Sequence, residues 1–353
     1  KALEKRTRER YALRTQLTYS EGQEQETARD GAFVTARTIE WGGSDLRSQY
    51  VIVPRGYRQQ SLVPGGTDGM VFTAQYGYVG LAVEQQEFVA EGLNEAGLSA
   101  GLFYFPNYGR YEAYDPARKS SSVADLPLVL STCRDVGEVE ELIGRIRVIN
   151  IDPRASTVHW RFADRSGRQI VLEFIDGKPV FYENKLGVLT NSPGFDWQLT
   201  NLNNYVNLYA GSAPDHDMGG VRLAPFGAGS GMLGIPGDVT PPSRFVRAAF
   251  YQTTAPQQAE AETTVLQSFQ ILNNFDIPIG VEFAAGKVPA DIPSATQWTS
   301  ATDITNRRIY YRTMHDSAIR CFDLETIDFT KVKYRALPLD EVRQQPIVRM
   351  KVR

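Results

Sequence analysis

Hydrophobic residues along this chain change their spacing several times, and each change marks an element. From Thr15, Leu17 and Tyr19 alternate with polar neighbours; a polar stretch runs from Ser20 to Gly31, and Phe33-Val34-Thr35-Ala36-Arg37 resumes as a strand. Tyr50-Val51-Ile52-Val53 is a short apolar strand stopped by Pro54 and Gly56. Val71 to Val83 and Leu98 to Phe105 predict aromatic-rich strands, with a turn at Asn94-Glu95-Ala96-Gly97 between them. After Ser120-Ser121-Ser122 the pattern becomes helical to about Ser131. Val136, Val139, Leu142, Ile143 and Ile146 then recur at the spacing of an amphipathic helix.

Alternation returns from His159 to Phe174, and Asp176-Gly177 is a hairpin signal into Val180-Phe181-Tyr182. Gly187 to Thr190 is a strand that delivers Asn191. Asn191-Ser192-Pro193-Gly194 ends it with turn chemistry, because Pro193 fixes φ and Gly194 tolerates positive φ. Residues 200–240, rich in Gly, Asn, Pro and Asp, form a long irregular excursion of the kind used for function or assembly. Ser243 is expected to cap a helix over Phe245 to Tyr251, and Val265, Phe269 and Leu272 mark another. Arg308 to Arg312 and Val332 to Tyr334 return to strand. Residues 1–14 carry six basic and two acidic side chains without an apolar centre, as a basic tail or pro-segment would. No linker, repeat or composition break interrupts the rest, so 15–353 reads as a single domain. Strands at both ends with helices between them predict an α+β fold of packed sheets under helical layers.

Composition narrows the chemistry. The 353 residues are 42% hydrophobic, enough for a large core, and a net charge of −3 offers no case for nucleic acid or an anionic membrane. No apolar run approaches the ~20 residues of a membrane span. Cys133 and Cys321 stand far apart, and His159, His216 and His315 are scattered, so no metal site and no cofactor is indicated. Gly227-Ala228-Gly229-Ser230-Gly231 lacks the following helix of a nucleotide-binding fingerprint, since Pro236-Gly237 comes next. Asn191, an amide at the end of a buried strand, suits donation to an oxyanion.

Longer stretches carry a resemblance. Gly187-Val-Leu-Thr-Asn-Ser-Pro-Gly-Phe-Asp-Trp197 with Asn201-Leu-Asn-Asn-Tyr205, Gly229-Ser-Gly-Met-Leu-Gly-Ile-Pro-Gly-Asp238 with Ser243-Arg-Phe-Val-Arg-Ala-Ala249, Gly92-Leu-Asn-Glu-Ala-Gly-Leu98, and Ala36-Arg-Thr-Ile-Glu-Trp41 with Val51-Ile-Val-Pro-Arg55 resemble blocks of the choloylglycine hydrolase/penicillin V acylase family. They run in the family's order and cover roughly residues 15–335. The resemblance implies a four-layer αββα sandwich of the N-terminal-nucleophile type. It also implies hydrolysis of a linear acyl amide such as penicillin V, a conjugated bile acid or an N-acyl homoserine lactone, without metal or organic cofactor. The family's nucleophile is an N-terminal cysteine whose own α-amine, titrating near ~8, takes the thiol proton.

By the same resemblance Arg37 is the cation beside the nucleophile, and Glu40 stands where the family has the aspartate that holds the amine. Asn191 and the backbone N–H of Tyr104 donate to the oxyanion, and Arg244 joins the polar network. Phe103, Phe105 and Tyr108 suit a flat aromatic or fatty acyl group, which favours penicillin V. The departure is the nucleophile itself: aligning Thr15-Gln-Leu-Thr-Tyr19 with the family's opening strand puts Arg14 in the cysteine position. Thr15 or Ser20 could serve only if cleavage made it the first residue. Cys133, in Leu130-Ser-Thr-Cys-Arg134, is expected to be buried packing, and Cys321 has no catalytic context. The alternative to a hydrolase is a catalytically silent binding or assembly protein on the same fold. The 200–240 excursion resembles the family's subunit-contact segment, which implies a homo-oligomer, a tetramer. The resemblance is compatible with bacterial cytoplasm and with periplasm or secretion.

Overall fold

The computed structural model describes residues 11–19, 31–41, 46–122, 125–151, 157–278, 280–287 and 296–352, with the backbone alone for 11–19 and 41. Most of the basic tail and of the polar stretch expected from Ser20 to Gly31 lies outside the described residues.

Two antiparallel sheets form the centre. The chain enters sheet I with β1 (Tyr11–Tyr19) and β2 (Val34–Trp41). It then builds seven strands of sheet II: β3 (Gln49–Val53), β4 (Tyr78–Ala82), β5 (Val89–Asn94), β6 (Leu98–Tyr104), β7 (Val158–Asp164), β8 (Gln169–Ile175) and β9 (Lys178–Glu183). β10 (Val188–Leu189) returns it to sheet I, which β11 (Thr296–Asp303), β12 (Arg308–Thr313) and β13 (Arg320–Asp323) complete. β14 (Arg335–Pro338) closes an edge of sheet II. The strand order is β10-β1-β2-β11-β12-β13 in sheet I and β9-β8-β7-β6-β5-β4-β3-β14 in sheet II.

Helices cover the outer faces. α1 (Leu126–Thr132) and α2 (Val136–Arg145) pack on β5, β6 and β7. α3 (Phe195–Asn201) follows β10, and α4 (Pro241–Thr254) and α5 (Ala261–Leu272) pack on β1, β10, β2 and β11. The result is the expected α+β sandwich of four layers.

Local sequence explains most boundaries. Asp176 and Gly177 both take positive φ, as a two-residue hairpin turn between β8 and β9 requires. α4 is capped at Thr240, not at Ser243, because Pro241 and Pro242 fill its first positions, where a preset φ helps and a missing N–H costs nothing. Ser243 instead donates to Asp238 Oδ2 at 2.6 Å. Gly194 does not use positive φ either, having φ −55°; a Cβ there would crowd Asp196 Oδ1 at 3.1 Å and Glu173 Oε2 at 3.3 Å. The last strand starts at Arg335, just beyond the expected Val332 to Tyr334, and β1 begins at Tyr11, upstream of Thr15.

Alternation along β7 has a consequence that periodicity alone does not reveal. Trp160 and Phe162 enter the core beneath α1 and α2, which puts His159 and Arg161 on the opposite face, towards sheet I. Both are 1% exposed. The layer between the sheets therefore contains charges, and they are partnered: Arg161 bonds Glu91 of β5 and, at 2.7 Å, Ser99 Oγ of β6.

Candidate active site

Arg37 stands on the inner face of β2. Its Nη1 donates at 2.9 Å to both Ala90 O and Leu102 O, and lies 3.6 Å from Glu91 Oε2. The guanidinium centre sits 4.1 Å over the Phe103 ring. Burial pulls its pKa down to about 10, against the pull of Glu91, so the group is still a cation at neutral pH. Nη2 has no hydrogen-bond partner among the described residues. Glu40, three residues along β2 and on the other side of its pleat, accepts from Thr296 Oγ1 at 2.9 Å.

Asn191 leaves the end of β10. Arg244 Nη2 donates to Asn191 Oδ1 at 2.8 Å, while Asn191 Nδ2 donates to Tyr104 O at 2.6 Å. Because a guanidinium only donates, this contact fixes which end of the amide is oxygen and turns the NH2 towards β6. One N–H is used on Tyr104 O, and the amide has a second to give. Arg244 is itself held by its Nε on Val239 O at 2.9 Å, and Thr190 Oγ1 bonds Pro241 O at the start of α4. Local helix geometry thus delivers the cation to the amide.

β6 joins the two halves. Arg37 is anchored to Leu102 and Phe103, and Asn191 to Tyr104, three consecutive residues. β1 runs between β10 and β2, with Gln16 opposite both Leu189 and Arg37. Its pairing with β2 shifts register between Leu13 and Gln16, so Arg14 and Thr15 occupy the irregularity, beside the strand that carries Arg37. Tyr11 to Leu13 continue the ladder upstream, against Trp41 to Ile39.

The aromatic residues divide. Phe103 and Phe105 are fully buried, the first beneath Arg37 and the second stacked on His159 with centroids 4.3 Å apart, so neither offers surface to a ligand here. Tyr108 is exposed and Tyr104 partly so. The cysteines lie elsewhere: Cys133 caps α1 inside the core, where burial pushes its thiol up to about 12, and Cys321 is on the edge strand β13. Among the described residues no group of His, Cys, Asp and Glu could hold a metal, and no helix is long and apolar enough to cross a membrane. The sequence reading missed Glu91, Arg161 and Glu173, whose only signal was a charge at an alternating position of a strand.

The sequence model described as linear amide C–N hydrolases, choloylglycine hydrolase family, matches residues 25–334. A bile salt hydrolase/transferase of Clostridium perfringens is 29% identical over 315 residues, 86% of this chain and 93% of that protein. The crystal structure of the C2A mutant conjugated bile acid hydrolase from the same organism superposes with a TM-score of 0.79 at 26% identity, covering 96% of this chain and all of that one. Penicillin V acylase from Agrobacterium tumefaciens shares the fold, with a TM-score of 0.72 at 24% identity over 94% of this chain and 92% of its own.

Proposed function

The chain belongs to the choloylglycine hydrolase family of linear amide C–N hydrolases, and on that premise we propose how its residues perform the reaction. The supporting observation is the convergence of Arg37 and Asn191 on residues 102–104 of β6, with β1 running between their strands. In this reading the attacking group comes from the register irregularity of β1. Arg37, with Nη2 unused among the described residues, favours its anionic form. The free Asn191 N–H and the Tyr104 backbone N–H receive the negative charge that develops on the amide oxygen. Arg244 keeps Asn191 turned the right way.

Arg14 has no nucleophilic atom. Thr15 has a hydroxyl, which becomes competent when the bond before it is opened and its own α-amine is free to act as base. N-terminal sequencing and intact mass of the purified protein test this directly. A chain opening within the β1 irregularity supports the mechanism. A chain that keeps residues 1–14 joined to Thr15 and shows no amide hydrolysis overturns it in favour of a silent binding protein.

The acyl group we propose is a flat aromatic one, meeting Tyr104 and Tyr108. Penicillin V should then be hydrolysed faster than glycocholate; the reverse order would refute this preference and leave amide hydrolysis standing. For assembly we propose a homo-oligomer, a tetramer; the exposure of Val206, Met218, Val221, Phe226 and Leu233 in the 200–240 excursion, each at least 61%, supports a contact surface there. A monomeric mass by light scattering would count against that assembly.

A further inference from the structure

A buried pair outside the residues discussed so far grips both ends of the turn that presents Asn191. His159, on the inner face of β7, has Nε2 3.0 Å from Thr190 O and Nδ1 3.1 Å from Glu173 Oε1. The same Glu173 oxygen accepts from Phe195 N at 2.9 Å. Thr190 immediately precedes Asn191, and Phe195 opens α3 just after Gly194. Both side chains are fully buried, and the imidazole is clamped from the side by Phe105, stacked at 8° to it. Tyr182 and Asp196 are also near the carboxylate: burial pushes the Tyr182 hydroxyl up to about 12, and the charges of Glu173 and Asp196 add to that rise.

We propose that His159 and Glu173 are positioning residues for the reaction: by holding the Thr190 carbonyl and the Phe195 N–H, they fix the 190–195 turn so that Asn191 stays aligned as an oxyanion donor. The inference rests on the reading of Asn191 given above. Its physical basis is economy of contact. Among the described residues, the turn between the two gripped ends bonds the body through a few atoms: the Asn191 side chain to Tyr104 and Arg244, Asn191 O to Gln198 Nε2 at 3.3 Å, and Ser192 Oγ to Pro106 O at 2.6 Å. With one ring nitrogen at the Thr190 carbonyl and the other at the Glu173 carboxylate, the ring holds two elements of sheet II and sheet I at a set distance. A donor for an oxyanion must sit within a few tenths of an ångström of its place, which a turn anchored at one end does not guarantee. Gly194 belongs to the same arrangement, because a Cβ there would press on Glu173 Oε2.

Two variants and two readouts test the proposal. His159→Phe keeps the stack on Phe105 and releases the Thr190 end alone; His159→Phe with Glu173→Leu releases both ends without leaving a charge unpaired. In crystal structures of the variants, Asn191 Nδ2 is expected to move out of hydrogen-bond range of Tyr104 O, and in the first variant the Phe195 contact is expected to persist. An unmoved Asn191 overturns the proposal whatever the activity. In amide hydrolysis, kcat should fall about tenfold with KM within about twofold, and the loss should largely vanish in an Asn191→Ala background. Equal losses in both backgrounds, or two variants that fail to fold while Asn191→Ala folds, assign the pair to stability and overturn it. If Asn191→Ala itself leaves kcat unchanged, the oxyanion reading fails, and the crystal structures still judge the clamp.

Discussion

Replacing Glu91 by Gln isolates what the charged layer between the sheets contributes. Glu91 lies between Arg161, which bonds it directly, and Arg37, 3.6 Å away, and all three are no more than 2% exposed. Two guanidinium groups so placed repel each other, and Arg161 indeed adds to the lowering of the Arg37 pKa. Removing one partner of a buried ion pair costs about 3–5 kcal/mol, because the remaining charge is left uncompensated in a poorly polarisable interior. Glu91→Gln belongs at the lower end, about 3 kcal/mol, since the amide oxygen still accepts one hydrogen bond. Unfolding entropy near 2.1 cal/mol/K per residue over the whole chain converts that to a Tm lowered by about 4 °C. Scanning calorimetry on the parent and variant measures it. Asp215→Asn is the control: its partner Arg222 lies 3.0 Å away with both side chains largely in water, so the change should stay within about 1 °C. Equal shifts in the two variants would refute the assignment of the interior cluster as a compensated charge network.

Other consequences follow from individual contacts. Arg244→Lys keeps the charge but cannot span Val239 O and Asn191 Oδ1 together, so kcat should fall about tenfold; an unchanged kcat would mean that charge alone suffices there. At pH 8 a thiol-alkylating reagent should leave Cys133 untouched in the native protein and label it on denaturation, because burial pushes that thiol to about 12; mass spectrometry of the native digest decides it. Hydrogen bonds from Ser243 and Thr240 pull Asp238 down to about 2. A folded-state pKa below the unfolded one stabilises the fold above about pH 4 and loses that contribution as pH falls through about 2. The parent Tm should therefore decline more steeply than that of Asp238→Asn between those values, and parallel curves would disprove it.

Most strands, several turns and the chemical types at the site were legible in the residues themselves. Asp176-Gly177 names its hairpin because two successive positive φ values suit few residue pairs, and the 3.6-residue spacing from Val136 to Ile146 names α2 because one face must be apolar. Asn191, Arg37 and Arg244 were legible through the stretches that contain them. Their relations were not: Arg244 meets Asn191 across 53 residues and Arg37 meets Leu102 across 65, distances over which no local pattern carries information. Burial of the polar faces was equally invisible. His159 and Arg161 alternate with Trp160 and Phe162 as they would on a strand with one wet face, and the same alternation marks Glu91 and Glu173 as surface. Only the packing of sheet I over sheet II excludes water from that face, and the excluded charges then have to find one another. Phe103 and Phe105 show the converse, since aromatic residues that suit a ligand in the sequence are consumed by the stacking of Arg37 and His159. Side-chain type and strand period are local properties; which face is dry depends on what the rest of the chain lays over it.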